Sequence, residues 1–333
     1  MQTKSRFPWK LWLAWTVVAM ALTVFLVADE GEQPAPLTWL ALLLGFAPLI
    51  GAQLTLGSPR AAAQVRAWMR SLRRPVLVAG GGLSGLYLLM GLLTPGFDPY
   101  AAAIFVFGLL AALGTLRQIG RGKRGLTWAD AAVWLLLWIP FDLRWNYDLW
   151  FGPAGFAYNW WAVALTVVGV LGWYGLRDLP AFGYRLVPRR RDLTLALAAT
   201  AVFAAIVIPI GLAIDFLTFP PSKPLSLSLL AAHFVGLFLT VALPEELFFR
   251  GILLHGLDQM SQRRGWMLFL SSLAFGLMHW NNAGDLTEKI AYVALATLAG
   301  AFYGWAYRKS GNNLLSAVFT HTFVDLLWSA LFR

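Results

Sequence analysis

The chain has 333 residues, of which 59% are hydrophobic and 13% are charged, with a net charge of +10. Soluble domains carry about 25% charged residues, so this composition excludes an ordinary soluble protein and predicts a membrane protein. The sequence contains no cysteine, which excludes a disulfide framework, a thiolate zinc site and a cysteine nucleophile.

Apolar runs that are long enough for membrane-spanning helices occur along the whole sequence. A helix needs about 20 residues, at about 1.5 Å each, to cross about 30 Å of hydrocarbon. About eleven runs approach that length, and the fifth is the weakest because it is short and contains Asp130. They cover residues 10–28, 37–56, 75–94, 99–116, 126–140, 160–177, 194–216, 226–256, 266–282, 289–307 and 313–331. The predicted fold is therefore all-α, a polytopic membrane helix bundle of about 11 transmembrane helices.

The loops between these runs alternate in charge. The basic set contains Lys4, Arg6, Lys10, Arg60, Arg66, Arg70, Arg73, Arg74, Arg117, Arg121, Lys123, Arg124, Arg185, Arg189, Arg190, Arg191, Arg263, Arg264, Arg308 and Lys309. The opposite set is acidic or nearly neutral and includes Asp29, Glu30, Glu32, Asp98, Lys223, Asp285 and Glu288. Because cytoplasmic loops are enriched in Lys and Arg, we expect a cytoplasmic N-terminus. The basic composition and the lack of a recognisable cleavable leader indicate a multi-pass protein of a bacterial-type plasma membrane, with the endoplasmic reticulum as the alternative. Because the basic residues fall in short clusters between apolar runs, we expect the lipid bilayer as the partner and no binding to nucleic acid.

Two features divide the chain. The basic stretch "VPRRRD" at 187–192 predicts a boundary between an accessory region, 1–190, with about six helices and a second domain, 191–333. The segment 141–161 is rich in Trp and Tyr, which favour the headgroup level, so we expect an interfacial loop or a short surface helix there. A substrate platform is the alternative interpretation of that segment.

Ionisable side chains inside the C-terminal runs are the main functional signal. A charge within a membrane span costs about 2.5 to 3.5 kcal/mol on insertion scales, so such residues tend to pair or to line a cavity. Three runs carry them: Glu245, Glu246, Arg250, His279, His321 and Asp325. At about 1.5 Å per residue they lie about 12 to 20 Å from the cytoplasmic edge, which predicts one site near the bilayer midplane.

Helical spacing predicts how these groups pair. Glu246 and Arg250 are four residues apart, which favours an ion pair along one helix. Glu245 is about 100° away around the helix and is therefore the freer carboxylate. His321 and Asp325, also four residues apart, are expected to share a face.

Two carboxylates and two imidazoles are sufficient for hydrolysis. A free Glu can accept a proton from water, one His can hold that water, and a second His can donate to the oxyanion that forms. Buried acids and histidines also mark ion pathways, so a proton-coupled membrane transporter is an alternative, although no internal repeat supports it. A non-catalytic immunity or scaffold protein is the third possibility. Gly300 and Gly304 form a GxxxG pattern that predicts close helix packing.

The ordered motifs "EELFFR", "FGLMH" and "HTFVD" resemble those of the CAAX protease and bacteriocin-processing family of intramembrane endopeptidases, over about residues 190–333. The family pattern is EExxxR, FxxxH and HxxxN or HxxxD on successive membrane helices. The resemblance implies cleavage of a membrane-associated peptide or protein. It also implies that Glu245 and His279 activate the attacking water, while Glu246 and Arg250 support the site.

His321 and Asp325 match the pair that the family uses to stabilise the oxyanion. Many members have Asn at the second position, and an ionised Asp cannot donate a hydrogen bond. Three interpretations of Asp325 stay open: it is protonated, it orients His321, or it helps to hold a metal.

The resemblance leaves the cofactor open, since members are described both as zinc metalloproteases and as glutamate-dependent proteases. Glu245, His279 and His321 would be adequate zinc ligands with an open position for water. The sequence has no HExxH motif, so we favour a mechanism without a cofactor, with zinc as the alternative.

Overall fold

The computed structural model describes residues 6–29, 35–119, 125–150, 156–179, 183–219 and 226–332. Within these residues the chain forms 12 helices and no strand. The first seven are α1 (Trp9–Asp29), α2 (Pro36–Leu56), α3 (Pro59–Ser71), α4 (Pro75–Leu92), α5 (Pro99–Ile119), α6 (Trp128–Asp142) and α7 (Ala157–Leu176). The last five are α8 (Arg190–Ala213), α9 (Ser228–Met260), α10 (Arg264–Leu277), α11 (Leu286–Lys309) and α12 (Leu314–Leu331).

The prediction of an all-α polytopic membrane protein is confirmed. Each predicted apolar run coincides with one helix, and 8 of the helices are long and apolar enough to cross a membrane. The helices α6 and α10 have only 15 and 14 residues. At about 1.5 Å per residue they are shorter than the hydrocarbon layer.

The boundary of the ninth predicted run is wrong. It was expected to continue as a helix to residue 282, but α10 ends at Leu277 and a separate 3₁₀ turn covers Trp280–Asn282. His279 therefore lies in the connection after the helix. Several charges used for the orientation, Lys4, Glu30, Glu32, Arg121, Lys123, Arg124 and Lys223, lie outside the described residues.

The helices form two compact units. One unit contains Met1–Lys123 and Thr127–Ala181 and therefore holds α1 to α7. The other contains Arg124–Leu126 and Phe182–Arg333 and holds α8 to α12. An accessory role for the first unit stays a prediction.

Helix α3 lies in a segment that the sequence analysis treated only as a basic loop. Ser58 caps its first turn by accepting a hydrogen bond from the Ala61 amide, and the helix buries Val65 and Met69 on one face. Arg66, on another face, donates to the carboxylate of Asp178 at 2.7 Å. Alternation of buried apolar and exposed basic residues at helical spacing explains why an Arg-rich stretch is nevertheless helical.

The aromatic segment 141–161 has two environments. Trp145 is 59% exposed in a short 3₁₀ turn, as expected for an interfacial position. Trp160 and Trp161 belong instead to α7 and are buried, with Tyr87 at 5.5 and 5.9 Å between ring centroids. The prediction of a surface element is therefore wrong for the end of the segment, because these rings fill the core of the first unit.

Asp130, the charge that weakened the fifth predicted span, is buried in an ion pair. Arg177 Nε donates to Asp130 Oδ1 at 2.9 Å, and both side chains have no exposed surface. Thr127 completes the arrangement: its amide and its hydroxyl each donate to Asp130 Oδ2 at 2.8 Å. Asp130 thus also caps the start of α6.

Small residues bring α11 close to α10 in the second unit. A Cβ at Gly276 would lie 2.6 Å from the Val293 carbonyl oxygen, and one at Gly300 would lie 3.2 Å from Ser272 Cα. At Gly304 a Cβ would overlap the side chain of Leu268. The close packing predicted from the GxxxG pattern is therefore confirmed, and it places α11 directly beside the helix that leads to His279.

Candidate active site

Helix α9 changes its winding around the two glutamates. Leu243–Glu246 is α-helical, whereas Leu237–Ala242 before it and Leu247–Leu254 after it are π-helical. Pro244 supplies no amide hydrogen and lies in the first turn of the α-helical stretch. Wide turns of this kind are rare and concentrate at functional sites, because they redirect side chains without ending the helix.

Glu246 is the centre of a buried network. Its Oε1 atom accepts a hydrogen bond from Arg250 Nη1 at 2.9 Å, and His321 Nδ1 lies 2.9 Å from the same oxygen. The predicted ion pair along α9 is thus confirmed. The link to His321, on a helix 75 residues later, joins α9 to α12.

Arg250 is held by more than its carboxylate. Its Nη2 donates to the Gly300 carbonyl at 3.0 Å, and its guanidinium lies 4.3 Å from the centre of the Phe275 ring and 5.2 Å from that of Tyr303. Only 1% of this side chain is exposed. Cation–π contacts and a carbonyl replace water around the guanidinium, so its position is fixed by three helices.

Glu245 keeps a carboxylate oxygen without a hydrogen-bond partner. Its Oε2 is buried, and no described residue donates to it; His321 Nε2 lies 3.8 Å away. The Oε2 atom of Glu246 has no partner either, but its Oε1 faces two donors, so Glu245 is the freer carboxylate, as expected. A buried oxygen of this kind is costly to leave unpaired, so it is a natural acceptor for a bound molecule.

His321 lies between acids. While Nδ1 faces Glu246, Nε2 lies 3.3 Å from Asp325 Oδ2, which confirms that the two α12 residues share a face. The imidazole also stacks on Tyr303 with 4.6 Å between ring centroids. Of the three interpretations of Asp325, this geometry favours the one in which its carboxylate orients His321.

His279 has a defined tautomer. Its Nδ1 lies 2.9 Å from the Phe275 carbonyl oxygen, and a carbonyl can only accept a hydrogen bond, so Nδ1 carries the hydrogen. In the neutral ring Nε2 is then the acceptor. Stacking on Tyr292 at 5.4 Å and contact with the Phe275 ring at 4.7 Å fix the plane of the ring.

Phe275 connects the histidines. Its ring centroid lies 4.7 Å from that of His279 and 5.7 Å from that of His321, so both imidazoles flank one side chain. All six residues singled out in the sequence therefore belong to one network of contacts on three helices and the connection after α10. Sequence reasoning gave no role to Phe275, although it is the first residue of the FxxxH pattern, or to Tyr303. It interpreted Gly300 only as a residue for helix packing.

The proposed zinc ligands do not form a metal site. Among the described residues no group of three or more His, Asp or Glu side chains is placed to hold a metal ion. In particular, His321 Nδ1 lies 2.9 Å from Glu246 Oε1 and its Nε2 lies 3.3 Å from Asp325 Oδ2, so both ring nitrogens already have carboxylate neighbours. The zinc alternative is therefore not supported by the geometry of these side chains.

The class of protein is a polytopic membrane helix bundle in which Glu246, Arg250 and His321 are buried and Glu245 and His279 are partly buried. Residues 226–327 match the family model described as Type II CAAX prenyl endopeptidase Rce1-like, and this match supports membership of the CAAX protease family. The matched segment contains the whole network around Glu246. No curated protein and no solved structure matches the chain.

Proposed function

We propose that the protein is an intramembrane endopeptidase that hydrolyses a peptide bond in a membrane-associated peptide or protein. One observation carries the proposal: Glu245 has an unpartnered buried oxygen beside His321, whereas the carboxylate of Glu246 is held through Oε1 by Arg250 and His321. A group with spare acceptor capacity in a closed site is suited to take a proton from water. The family match supports the reaction class.

Water attack on the peptide carbonyl requires a proton acceptor on one side. Glu245 takes the proton while the water oxygen forms a bond to the carbonyl carbon, and His279 Nε2 accepts a hydrogen bond from the O–H that remains on that oxygen. The proton then passes from Glu245 to the leaving amine as the C–N bond breaks. The carboxylate is regenerated, and one water has been consumed.

The oxyanion requires a donor on the other side. We assign this role to His321, whose Nε2 lies 3.8 Å from Glu245 Oε2 and 3.3 Å from Asp325 Oδ2 and would donate to a substrate carbonyl oxygen that enters beside these acids. Glu246 holds the opposite nitrogen of the ring, and Arg250 holds Glu246. Preorganised donors of this kind are worth about 10²- to 10³-fold in rate.

The test uses the full-length protein in liposomes, with a farnesylated CaaX peptide, its unprenylated form and labelled total membrane proteins as probes. We expect wild-type protein to generate new termini in at least one of these probes, detected by mass spectrometry. Glu245→Gln should abolish them, whereas Glu288→Gln, the same change at an exposed position on α11, should not. Full activity of Glu245→Gln would exclude the proposal.

A second measurement addresses the cofactor. We propose that the reaction needs no metal, so activity should persist after dialysis against a chelator and should not rise when Zn²⁺ is returned. Loss with chelator and recovery with Zn²⁺ would assign the reaction to the metal-dependent type.

A further inference from the structure

An apolar groove lies along the second unit where α11 packs against both α8 and α10. It has a volume of about 430 Å³ and an entirely apolar lining. The lining includes Ala198, Val202, Leu268, Ala301, Phe302 and Trp305. Small side chains on α8 and α11 leave the space open, and Phe203 holds the Phe302 ring in an edge contact at 5.6 Å.

Two of the three helices that line the groove, α8 and α11, are long and apolar enough to cross a membrane, so the surrounding medium is acyl chain. Its volume falls within the range of about 300 to 1,000 Å³ that is typical of small-molecule sites. An acyl chain can fill it without leaving any polar group unpaired.

Exposed cations surround one end of the groove. Arg190 and Arg191 begin α8, Arg264 begins α10 and Lys309 ends α11, and all four are exposed. Leu268 and Trp305 are each four residues from the nearest of these cations, about 6 Å along their helices. Arg264 and Lys309 therefore lie about 6 Å from the lining along the helix axis, and Arg190 lies about 12 Å before Ala198.

Contacts hold two of these helix ends together. Arg191 Nη2 donates to the carbonyl of Lys309 at 2.6 Å, which joins the start of α8 to the end of α11. Trp305 is 38% exposed on the same end of α11, and Trp is favoured at the headgroup level.

The acids of this region are already neutralised. Asp192 is bonded to Arg189 and Asp258 to Arg308, at 2.8 and 3.0 Å. No acid among the described residues forms an ion pair with Arg190 or Lys309. Their charge is thus available to an anion from the membrane.

From the apolar groove and its cationic end together, we infer a binding site for one anionic phospholipid, with an acyl chain in the groove and the headgroup phosphate between Arg190 and Lys309. Arginine and lysine are the usual partners of phosphate, and basic pockets between membrane helices bind anionic headgroups. The inference does not depend on the proposed peptidase activity.

Native mass spectrometry of the full-length protein in detergent tests the site, with phosphatidylglycerol and phosphatidylcholine of identical acyl chains as probes. We expect wild-type protein to hold one phosphatidylglycerol at least roughly tenfold more tightly than phosphatidylcholine. The double variant Arg190→Gln/Lys309→Gln should lose that preference. Its matched control is Arg73→Gln/Arg74→Gln, which removes the same charge from an exposed turn of the first unit.

A second pair of variants tests the groove. Ala198→Phe should weaken the binding of both lipids by a similar factor. Ala111→Phe, at an exposed alanine of α5, should leave the binding of both unchanged. Equal retention of the two lipids by wild-type protein would overturn the inference, and so would an unchanged preference in the double variant. If a variant fails to fold, added NaCl still separates the outcomes, because it should reduce only phosphatidylglycerol binding.

Discussion

Each unit of the protein buries an acid–arginine pair, and the two pairs differ in how completely their oxygens are used. In the first unit, Arg177 binds both oxygens of Asp130, and Thr127 adds two further donors. In the second unit, Oε1 of Glu246 faces two donors, but no described residue donates to its Oε2. Glu245 then adds another unpartnered oxygen next to it.

This difference distinguishes a pair with a structural role from a pair at which we propose that catalysis takes place. A buried pair whose hydrogen-bond capacity is filled locks two segments together and offers nothing to a ligand. A buried oxygen without a hydrogen-bond donor lowers stability, and a protein that keeps such oxygens in one place typically uses them for function.

The first prediction separates activity from stability at Glu245. Glu245→Gln should reduce cleavage by about 10²- to 10⁴-fold, the usual contribution of a general base. Because Glu245 makes no hydrogen bond through Oε2, its replacement should change the free energy of unfolding by no more than about 0.5 kcal/mol. Thermal unfolding in detergent, measured on the same preparation as cleavage, checks both. A large loss of stability would make Glu245 a structural residue.

Asp130→Asn should show the opposite pattern. The change leaves Arg177 as a buried charge without its partner, which costs about 3 to 5 kcal/mol of stability. The control is Asp148→Asn, at an exposed position of the same unit, with an expected change within about 0.5 kcal/mol. Equal unfolding midpoints of the two variants would contradict the structural role of the pair.

The third prediction compares two helix contacts. A Cβ at Gly276 would lie 2.9 Å from the Thr297 amide nitrogen, and one at Gly51 would lie 2.9 Å from the Thr16 amide nitrogen. Either Gly→Ala change should therefore lower the free energy of unfolding by about 1 to 3 kcal/mol. Only Gly276→Ala should also lower cleavage at a temperature where both variants are folded, because Gly276 lies three residues before His279. Equal cleavage by the two variants would show that the α10–α11 contact does not position the histidine.

The smallest effect on stability is expected from a substitution of Asp178, which lies just after α7. Burial works to raise the pKa of its carboxyl, but hydrogen bonds from Arg70 and Arg66 outweigh it and hold the pKa below its usual range. The stabilisation is then present above the unfolded pKa of about 3.9 and disappears as the pH falls through the lowered folded value.

Because Asp178 is partly exposed, Asp178→Asn should cost less than about 1 kcal/mol at neutral pH. Unfolding midpoints of wild type and variant, measured from neutral to acidic pH, should converge at the acidic end. A gap that widens on acidification would contradict the assigned sign.

Local rules predicted much of this architecture. Composition and run length identify the membrane helices, because the bilayer sets both polarity and span. Spacing of four residues identifies the pairs Glu246–Arg250 and His321–Asp325, because both partners lie on one helix. The choice of Glu245 as the freer acid also follows from its angle on α9.

Other features depend on packing between segments. The bond between His321 and Glu246 joins positions 75 residues apart, and the contact of Arg250 with Gly300 uses a backbone carbonyl that no side-chain pattern reveals. The sequence pattern did not predict the early end of α10 for the same reason. Contacts with neighbouring segments, rather than the hydrophobic periodicity of the segment itself, stabilise the 3₁₀ turn after it. The catalytic roles of the six residues stay predictions.

Because α9 contains π-helical turns, the number of residues between its motif positions affects the geometry of the site as much as the residue types do. Each π-helical turn holds one residue more than the regular turn it replaces. Deleting a single residue between Leu247 and Arg250 without a change in winding would shift Arg250 and every later residue of α9 by about 100° around the helix. Homologues with a one-residue gap here would keep the letters of the motif but lose its geometry, so alignments of this helix should be inspected for insertions and deletions before activity is inferred.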